Sequence, residues 1–181
     1  VGAFEVNSSY LETGNGFKLS GSGAEGALFP VELVWTPKVN GLPGEYRAGY
    51  YYSNAKADDV FDGADGQPQP VSGGAFQSHG SKHGSWIVIQ QQLTSRGGST
   101  DRGLSVFFNA TMHDKETNLV DNFVQAGVSY KGPFDSRPKD DFGFGVARIH
   151  VNPAVAKHAS LTNQLAGINN YDNPAFMPIR D

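Results

Sequence analysis

The chain has 181 residues, no cysteine, 14 basic against 18 acidic side chains, and a formal net charge of −4. This composition excludes disulfide scaffolds and cysteine-ligated metal sites, and the net negative charge argues against nucleic acid as a partner. No apolar run approaches the roughly 18 residues of a membrane-spanning helix, whereas 23 glycines, 12% aromatic residues and only 18% charged residues favour an all-β chain.

Apolar and polar side chains alternate along most of the sequence, which is the pattern of a strand with one apolar and one polar face. The pattern is clearest in residues 104–114, where apolar side chains from Leu104 to Met112 alternate with polar ones from Ser105 to His113, with Phe107 on the polar side as the exception. In chain order, about seven strands are predicted, over residues 2–10, 28–37, 45–55, 84–95, 104–114, 120–131 and 141–151.

The alternation breaks at two further places. Three apolar side chains from Phe142 to Val146 share their face with Arg148 and His150, and Gln91 interrupts the apolar face of its own strand. A β-bulge, or a strand end that leaves the apolar layer, would account for the polar side chains of the last strand.

The predicted strands run for roughly ten residues, which matches the ~9–11 residues of a tilted membrane-spanning strand better than the ~5–6 of an ordinary one. The connections also alternate in length, as they do in outer-membrane barrels. Short turns are predicted at 38–44, 96–102 and 132–140, and longer loops at 11–27, 56–83 and 152–181, with 115–119 as an exception. Both features predict a transmembrane antiparallel β-barrel.

A barrel of this kind turns its apolar face to lipid and its polar face to the lumen. Trp35, Tyr46, Tyr52 and Tyr130 stand near strand ends on the apolar faces, where aromatic girdles lie at the membrane interface. The alternative interpretation of the strand pattern is a soluble or surface-exposed β-sandwich whose apolar faces form a dry core, for example a carbohydrate-binding module.

In the barrel interpretation the polar faces form one set that mixes both charge signs with amides and hydroxyls. A hydrated surface of that kind suits neutral, hydrogen-bonding solutes such as sugars. Trp86, Phe107 and Phe123 share this face and could stack on a sugar ring. The side chains predicted to line the lumen are Glu32, Glu45, Arg47, Tyr51, Gln90, Gln92, Asn109, Thr111, His113, Asp121, Gln125 and Lys131.

Three short motifs suggest other chemistry, but their surroundings argue against it. Residues 21–26 spell GxGxxG without the following helix of a dinucleotide site, and residues 141–143 spell DFG without the other kinase motifs. His79 and His83 lie in a Ser- and Gly-rich loop rather than on a helix that could hold a metal. The sequence therefore predicts no enzyme.

The acidic loop leaves one cofactor open. Asp58, Asp59, Asp62 and Asp65 could gather a loop-ordering calcium ion, although the EF-hand pattern is missing. A solvated acidic loop is the simpler interpretation, and no other cofactor is expected.

Several longer segments are more specific than any of these short motifs. The sequence includes GLPGEYR, YKGPF, RPKDD, GVARIHVN and NYDNP. Together with the shorter GYYY, SKHG and RGLS, these segments occur in order along nearly the whole chain, at residues 41–47, 49–52, 81–84, 102–105, 130–134, 137–141, 145–152 and 170–174. With these segments the chain resembles the OprB-type carbohydrate-selective porins of Gram-negative outer membranes.

The resemblance implies a sixteen-stranded outer-membrane barrel with a narrow pore that passes small sugars such as glucose by passive diffusion. Porins of this family are more than twice as long, so residues 1–181 are expected to be part of one barrel domain, without its N-terminal strands and C-terminal closing strands. The pore-narrowing loops of the family belong largely to the missing early half, so no substrate-contacting residue is transferred to this chain. The expected partners are small neutral carbohydrates, outer-membrane lipid and lipopolysaccharide, and a homotrimer is a possible assembly.

Overall fold

Long antiparallel strands dominate the computed structural model, which describes residues 1–7 and 23–169. In chain order the elements are β1 (Phe4–Val6), β2 (Gly26–Trp35), β3 (Lys38–Val39), β4 (Leu42–Ser53), β5 (Ala57–Gly63), α1 (Gln69–Ser72), β6 (Phe76–His79), β7 (Lys82–Gln92), β8 (Gly103–His113), β9 (Val120–Lys131), β10 (Asp141–Val151) and α2 (Pro153–Leu165).

One antiparallel sheet contains all the long strands, in the order β1-β2-β4-β7-β8-β9-β10, with β3 added beside β4. Each long strand therefore pairs with the next long strand along the chain, as in an up-and-down meander. The all-β antiparallel prediction is confirmed, and the six strands β2, β4, β7, β8, β9 and β10 begin and end within three residues of their predicted bounds. Of the strand predicted over 2–10, the structure shows the short β1, and residues 8–10 lie outside the described residues. Within the described residues the edge strands β1 and β10 do not pair with each other, so the sheet remains open.

The two ends of the sheet carry different connections, as the sequence predicts. At one end, the turn end, the chain reverses through residues 36–41, 93–102 and 132–140. At the other end, the loop end, it passes through 54–81 and the shorter 114–119. The β3–β4 hairpin at the turn end closes through Asn40 and Gly41, whose φ angles of 53° and 78° suit the type I′ turn that matches strand twist.

Two segments predicted as loops contain regular structure. Residues 56–83 include β5, α1 and β6, and residues 152–181 begin with helix α2. Asn152 caps α2, because its side-chain oxygen accepts the N–H of Ala154, and Pro153 occupies the first turn, where its missing N–H needs no partner. None of the helices in the described residues is long and apolar enough to cross a membrane.

The elements β5, β6, α1 and α2 gather with residues 114–119 at the loop end, and we call this group the cap. Asn152 is 2% exposed and donates its side-chain N–H groups to the carbonyls of Lys115 (2.6 Å) and Asn118 (2.8 Å). The N–H of Val60 on β5 donates to the carbonyl of Glu116 at 2.9 Å. These hydrogen bonds hold α2 and β5 to residues 114–119 within the cap, and the buried apolar residues there are small alanines.

Candidate functional site

Strand pairing sorts the side chains of the sheet into two faces, because successive side chains point to opposite sides. Tyr46 pairs with Trp35 on β2 and with Ile89 on β7, and this row belongs to the apolar face. Its neighbour Arg47 pairs with Val88 and belongs to the polar face.

The apolar face is uncovered. Leu33, Met112 and Phe144 on this face are 72%, 61% and 70% exposed. Within the described residues the second sheet is the β5–β6 pair, which lies in the cap and does not pack over these side chains. A sandwich needs a second sheet on this face to bury it, so the sandwich alternative is wrong.

The apolar band crosses the strands obliquely. On β2 it extends from Phe29 to Trp35, and its centre at position 32 pairs with Gly49 of β4. On β10 the band is centred on Phe144. Following the paired residues from Phe144 across β9, β8 and β7 leads to Gly44 on β4. The centre thus shifts by five residues (49 minus 44) over five strand-to-strand steps. At ~3.4 Å per residue and ~4.8 Å between strands, this shift gives a strand tilt of about 35°, as in membrane barrels.

Aromatic and polar side chains border the apolar band at the turn end. The rings of Trp35 and Tyr46 pack with centroids 5.5 Å apart. Gln91, which interrupts the alternation, lies beside them and is paired at both ends of its amide. Its Oε1 accepts the hydroxyl of Tyr46 at 2.7 Å, and its Nε2 donates to the carbonyl of Gln92 at 2.8 Å. An internally paired amide is the form in which a polar group is tolerated next to lipid.

Most of the side chains predicted to line the lumen share the polar face. The register places on this face Glu32, Glu45, Arg47, Tyr51, Gln90, Gln92, Asn109, Thr111, His113, Gln125 and Lys131. The strand register shows that these side chains share one face of the sheet. That they line a solute path stays a prediction.

Three charged side chains form a cluster in the middle of the polar face. The Nε of Arg47 donates to Glu45 Oε1 at 2.7 Å, and its Nη1 lies 3.8 Å from Glu32 Oε1. The indole N–H of Trp86 donates to Glu32 Oε2 at 2.7 Å. The two carboxylates and one guanidinium leave one net negative charge, and side-chain exposures of 31–41% keep the cluster in contact with solvent.

Aromatic rings on the polar face lie flat against glycines of the neighbouring strand. A Cβ added to Gly49 would overlap the indole of Trp86, and one added to Gly84 would lie 2.5 Å from the ring of Tyr51. Both glycines are therefore required for these ring positions. The hydroxyl of Tyr51 also lies 2.7 Å from Nδ1 of His113, which holds this ring in place.

Gln92 is on the polar face but is not open to solvent. It is 8% exposed, and its Nε2 donates to the carbonyls of Thr94 (2.9 Å) and Arg102 (3.1 Å). These bonds satisfy backbone groups of the turn that follows β7. Gln92 therefore stabilises this turn.

Asp121, the remaining residue of the predicted lumen set, lies at a β-bulge. The pairing of β9 with β10 shifts between His150 and Val151, and Asp121 is the extra residue on β9. It is 3% exposed, its carboxylate contacts the ring of His150, and Lys115 Nζ lies 3.9 Å away. A bulge is one explanation for the polar residues Arg148 and His150 on the apolar parity of β10, but this bulge lies beyond both and leaves their parity unchanged. It places Asp121 under the cap, away from the open polar face.

A second polar cluster lies in the cap. Asp59 Oδ1 accepts the backbone N–H groups of Phe61 and Asp62, at 2.7 and 2.8 Å, while Oδ2 lies 2.7 Å from His79 Nε2. Nδ1 of His79 is 3.7 Å from Glu116 on the neighbouring loop. Burial alone would raise the pKa of Asp59, but these hydrogen bonds outweigh it and hold the pKa below its usual value.

The acidic side chains of residues 58–65 do not converge on one point. Both oxygens of Asp59 are used by the cap, and Asp65 accepts the N–H of Gln67 at 3.1 Å. No group of three or more His, Asp and Glu side chains in the described part of the chain could hold a metal ion. The described geometry therefore gives no support to the calcium expectation, or to a metal shared by His79 and His83.

At the turn end, ion pairs link two separate turns. Asp135 accepts from Arg96 Nε at 3.2 Å and from Arg102 Nη2 at 2.9 Å, and Arg102 also donates to the carbonyl of Gly132 at 2.8 Å. Hydrogen bonds from Arg96 and Arg102 lower the pKa of Asp135. This network joins the β7–β8 turn to the β9–β10 turn.

Comparison with known proteins gives a consistent result. A family profile described as "Carbohydrate-selective porin, OprB family" matches residues 1–178. Porin B of Pseudomonas aeruginosa is 64% identical over 183 aligned residues, which cover all of this chain and 40% of that protein. A high-pH structure of Pseudomonas putida OprB is 66% identical, with a TM-score of 0.94 over 98% of this chain and 42% of that one. The chain thus spans about two fifths of the length of these relatives.

Proposed function

The chain belongs to the OprB family of carbohydrate-selective porins, which are outer-membrane β-barrel proteins, and from this premise we propose that it forms part of the wall of a sugar channel. Small neutral sugars such as glucose would cross the outer membrane through the lumen by passive diffusion, down their gradient. No bond is made or broken in this activity, so we propose no catalytic residue.

The observation that carries the proposal is the contrast between the two faces of one sheet. The apolar face is uncovered and bordered by Trp35 and Tyr46, which suits lipid, including lipopolysaccharide in the outer leaflet. The polar face carries amides, hydroxyls and charges of both signs, which suits water. A sheet with these two faces fits as a partition between lipid and an aqueous lumen.

The charged cluster supports a role in orienting solutes. Glu32, Glu45 and Arg47 present acceptors and donors side by side, which matches the mixed hydrogen bonding of sugar hydroxyls. Each partly exposed ion pair is screened by water and contributes only ~0–1 kcal/mol to stability, so the cluster can exchange partners with a passing solute. Affinity for sugar should be weak, because a conducting site must also release its solute.

Liposome swelling with the whole porin tests this function. Glucose should enter faster than a charged solute of similar size, because uncharged hydroxyl groups exchange hydrogen bonds with the wall without an ion-desolvation cost. Equal entry of both solutes would leave a general porin and remove the sugar preference. No entry of either solute through correctly folded protein would contradict the channel.

A further inference from the structure

Phe107 occupies a position on the polar face that differs from that of Trp86. A Cβ added to Gly127 on β9 would lie 2.5 Å from Cζ of Phe107, and one added to Gly145 on β10 would lie 3.2 Å from the same atom. The ring therefore lies across β9 and reaches towards β10. Because the two glycines have no side chains, they leave room for the ring, and nothing of theirs covers its open side.

The nearest polar side chains around this ring carry no charge. Phe107 pairs directly with Gln90 on β7, and Ser105 and Asn109 flank it on its own strand. On β9, Gln125 and Ser129 occupy the positions on either side of Gly127 on the same face. The ring is thus a flat apolar surface surrounded by amides and hydroxyls, in contrast to the charged cluster at Trp86.

A cavity lies on the β7 side of Phe107. A cavity of about 410 Å³ is lined by Gln90, Gln92 and Ser105, together with Thr36 and Glu45. Gln90 is the direct partner of Phe107, and Ser105 is two residues away on the same face. A small ligand in this cavity could contact Gln90 and Ser105, whereas the ring of Phe107 is directed to the other side of β8, over β9.

We propose that Phe107 forms the floor of a second sugar-contact subsite on the wall, which takes one pyranose ring of a neutral sugar. The C–H groups of one sugar face pack on the ring, while hydroxyls at the sugar's rim exchange hydrogen bonds with Gln90, Ser105 and Gln125. The uncharged side chains immediately around the ring favour neutral sugars over ions, while Glu45 of the same register row lies two strands away on β4. This subsite rests on the proposed channel function and adds a residue that the charged cluster does not include.

The test is glucose binding by the whole porin in planar bilayers, measured as the glucose-dependent decrease in single-channel current. Phe107→Leu keeps an apolar side chain but removes the flat ring, and should weaken glucose binding about threefold to tenfold, the range expected for one lost aromatic contact. Phe107→Tyr keeps the ring and should bind glucose as the unchanged protein does. Phe108→Leu is the matched control, because Phe108 is adjacent but lies on the apolar face.

The outcomes separate the subsite from the channel. If glucose enters through the unchanged protein and Phe107→Leu binds it equally well, or if Phe108→Leu loses as much affinity, the subsite is refuted while the channel stands. If glucose does not enter through the unchanged protein, the channel function fails, and the subsite fails with it. Should Phe107→Leu not fold, Gly145→Ala displaces the ring by a few tenths of an ångström and should weaken binding, whereas Gly143→Ala meets only Val128 O at 3.6 Å and should not. Equal binding by those two variants would also refute the subsite.

Discussion

The indole N–H of Trp86 on β7 donates to Glu32 on β2 at 2.7 Å and so reaches across the full width of β4. The bond can form because Gly49, the residue of β4 beneath the indole, has no side chain. One hydrogen bond therefore links three strands and holds an aromatic ring flat on the polar face. This arrangement sets how far the ring extends from the wall.

Replacing Gly49 with alanine should lift this ring. The added methyl group would overlap the indole, which must tilt away from the wall and lose its bond to Glu32. Because the atoms displaced belong to the end of a side chain, the sheet should still form, and single-channel conductance of the whole porin should fall by up to about twofold. Gly143→Ala on the same face is the control, since its new Cβ has 3.6 Å to the nearest atom. Identical conductance in both variants would contradict the prediction.

The charged cluster should tune ion preference in two directions. Arg47→Gln leaves Glu32 and Glu45 without their cation, so the channel should become more cation-selective. Glu45→Gln removes one of the two carboxylates and should shift the preference towards anions. The reversal potential in a salt gradient measures both changes, with Gln125→Asn in the same register row as the uncharged control. Unchanged reversal potentials in both charge variants would remove the cluster from the ion path.

The hydrogen bond from Tyr46 to the amide of Gln91 should contribute to the stability of the protein. Tyr46→Phe deletes the hydroxyl that donates to Gln91 Oε1 and leaves this acceptor unpaired beside lipid, at a cost of about 1–3 kcal/mol in unfolding free energy. The double variant Tyr46→Phe with Gln91→Leu removes both partners of this bond, and also the donation from Gln91 to the carbonyl of Gln92, so it should recover part of that loss. Denaturant unfolding in lipid vesicles measures both variants against the unchanged protein. A double variant less stable than the single one would show that the pair does not behave as described.

Asn152 should control the attachment of the cap. Asn152→Ala removes the α2 cap and two buried donations at once, and should destabilise the cap by about 2–4 kcal/mol. Asn152→Asp keeps the capping oxygen and loses only the donations to Lys115 and Asn118, so its effect should be smaller than that of alanine. Hydrogen exchange in 114–119 and 153–165 measures both, and exchange in β8 should not change. Gln164→Ala, on an exposed position of α2, is the control.

Acid should loosen the β5–β6 hairpin through Asp59. The folded pKa of Asp59 is lowered, so its stabilising contribution is present above the unfolded value of about 3.9 and is lost as pH falls through the folded pKa. Hydrogen exchange of the Phe61 and Asp62 amides, corrected for intrinsic rates, should therefore accelerate on acidification. Asp59→Asn should exchange faster already at neutral pH and respond less to acid. Asp58→Asn is the adjacent exposed control, and an equal acid response in all three proteins would contradict the assignment.

The strands could be predicted because their signal is local. Residues 104–114 and 120–131 show the two-residue alternation directly, and pairing them in chain order yields the observed neighbours. The polar face follows from the same parity, which is why most of the predicted lumen set shares it. Gln92 could not be predicted to be buried, because its burial depends on a turn that folds back over it.

Other features could be recognised only from the strand register or from tertiary contacts. No sequence pattern reports that Gly49 lies under Trp86, since the two residues meet only through the pairing of β4 with β7. The cap was missed because β5, β6 and α1 are short, so their periodicity is brief. The pair Asn152-Pro153 is a recognisable helix start and could have indicated α2.

The oblique path of the apolar band has a consequence for the diameter of the barrel. A shift of about one residue per strand, repeated around the sixteen strands that the family resemblance implies, closes a cylinder roughly 30 Å across between backbones. Such a cylinder is several times wider than a hexose, so a bare wall would admit hexoses and much larger molecules alike. In the proposed channel, size discrimination would therefore have to come from polypeptide folded into the lumen. The sheet would then contribute the surface along which an admitted sugar moves.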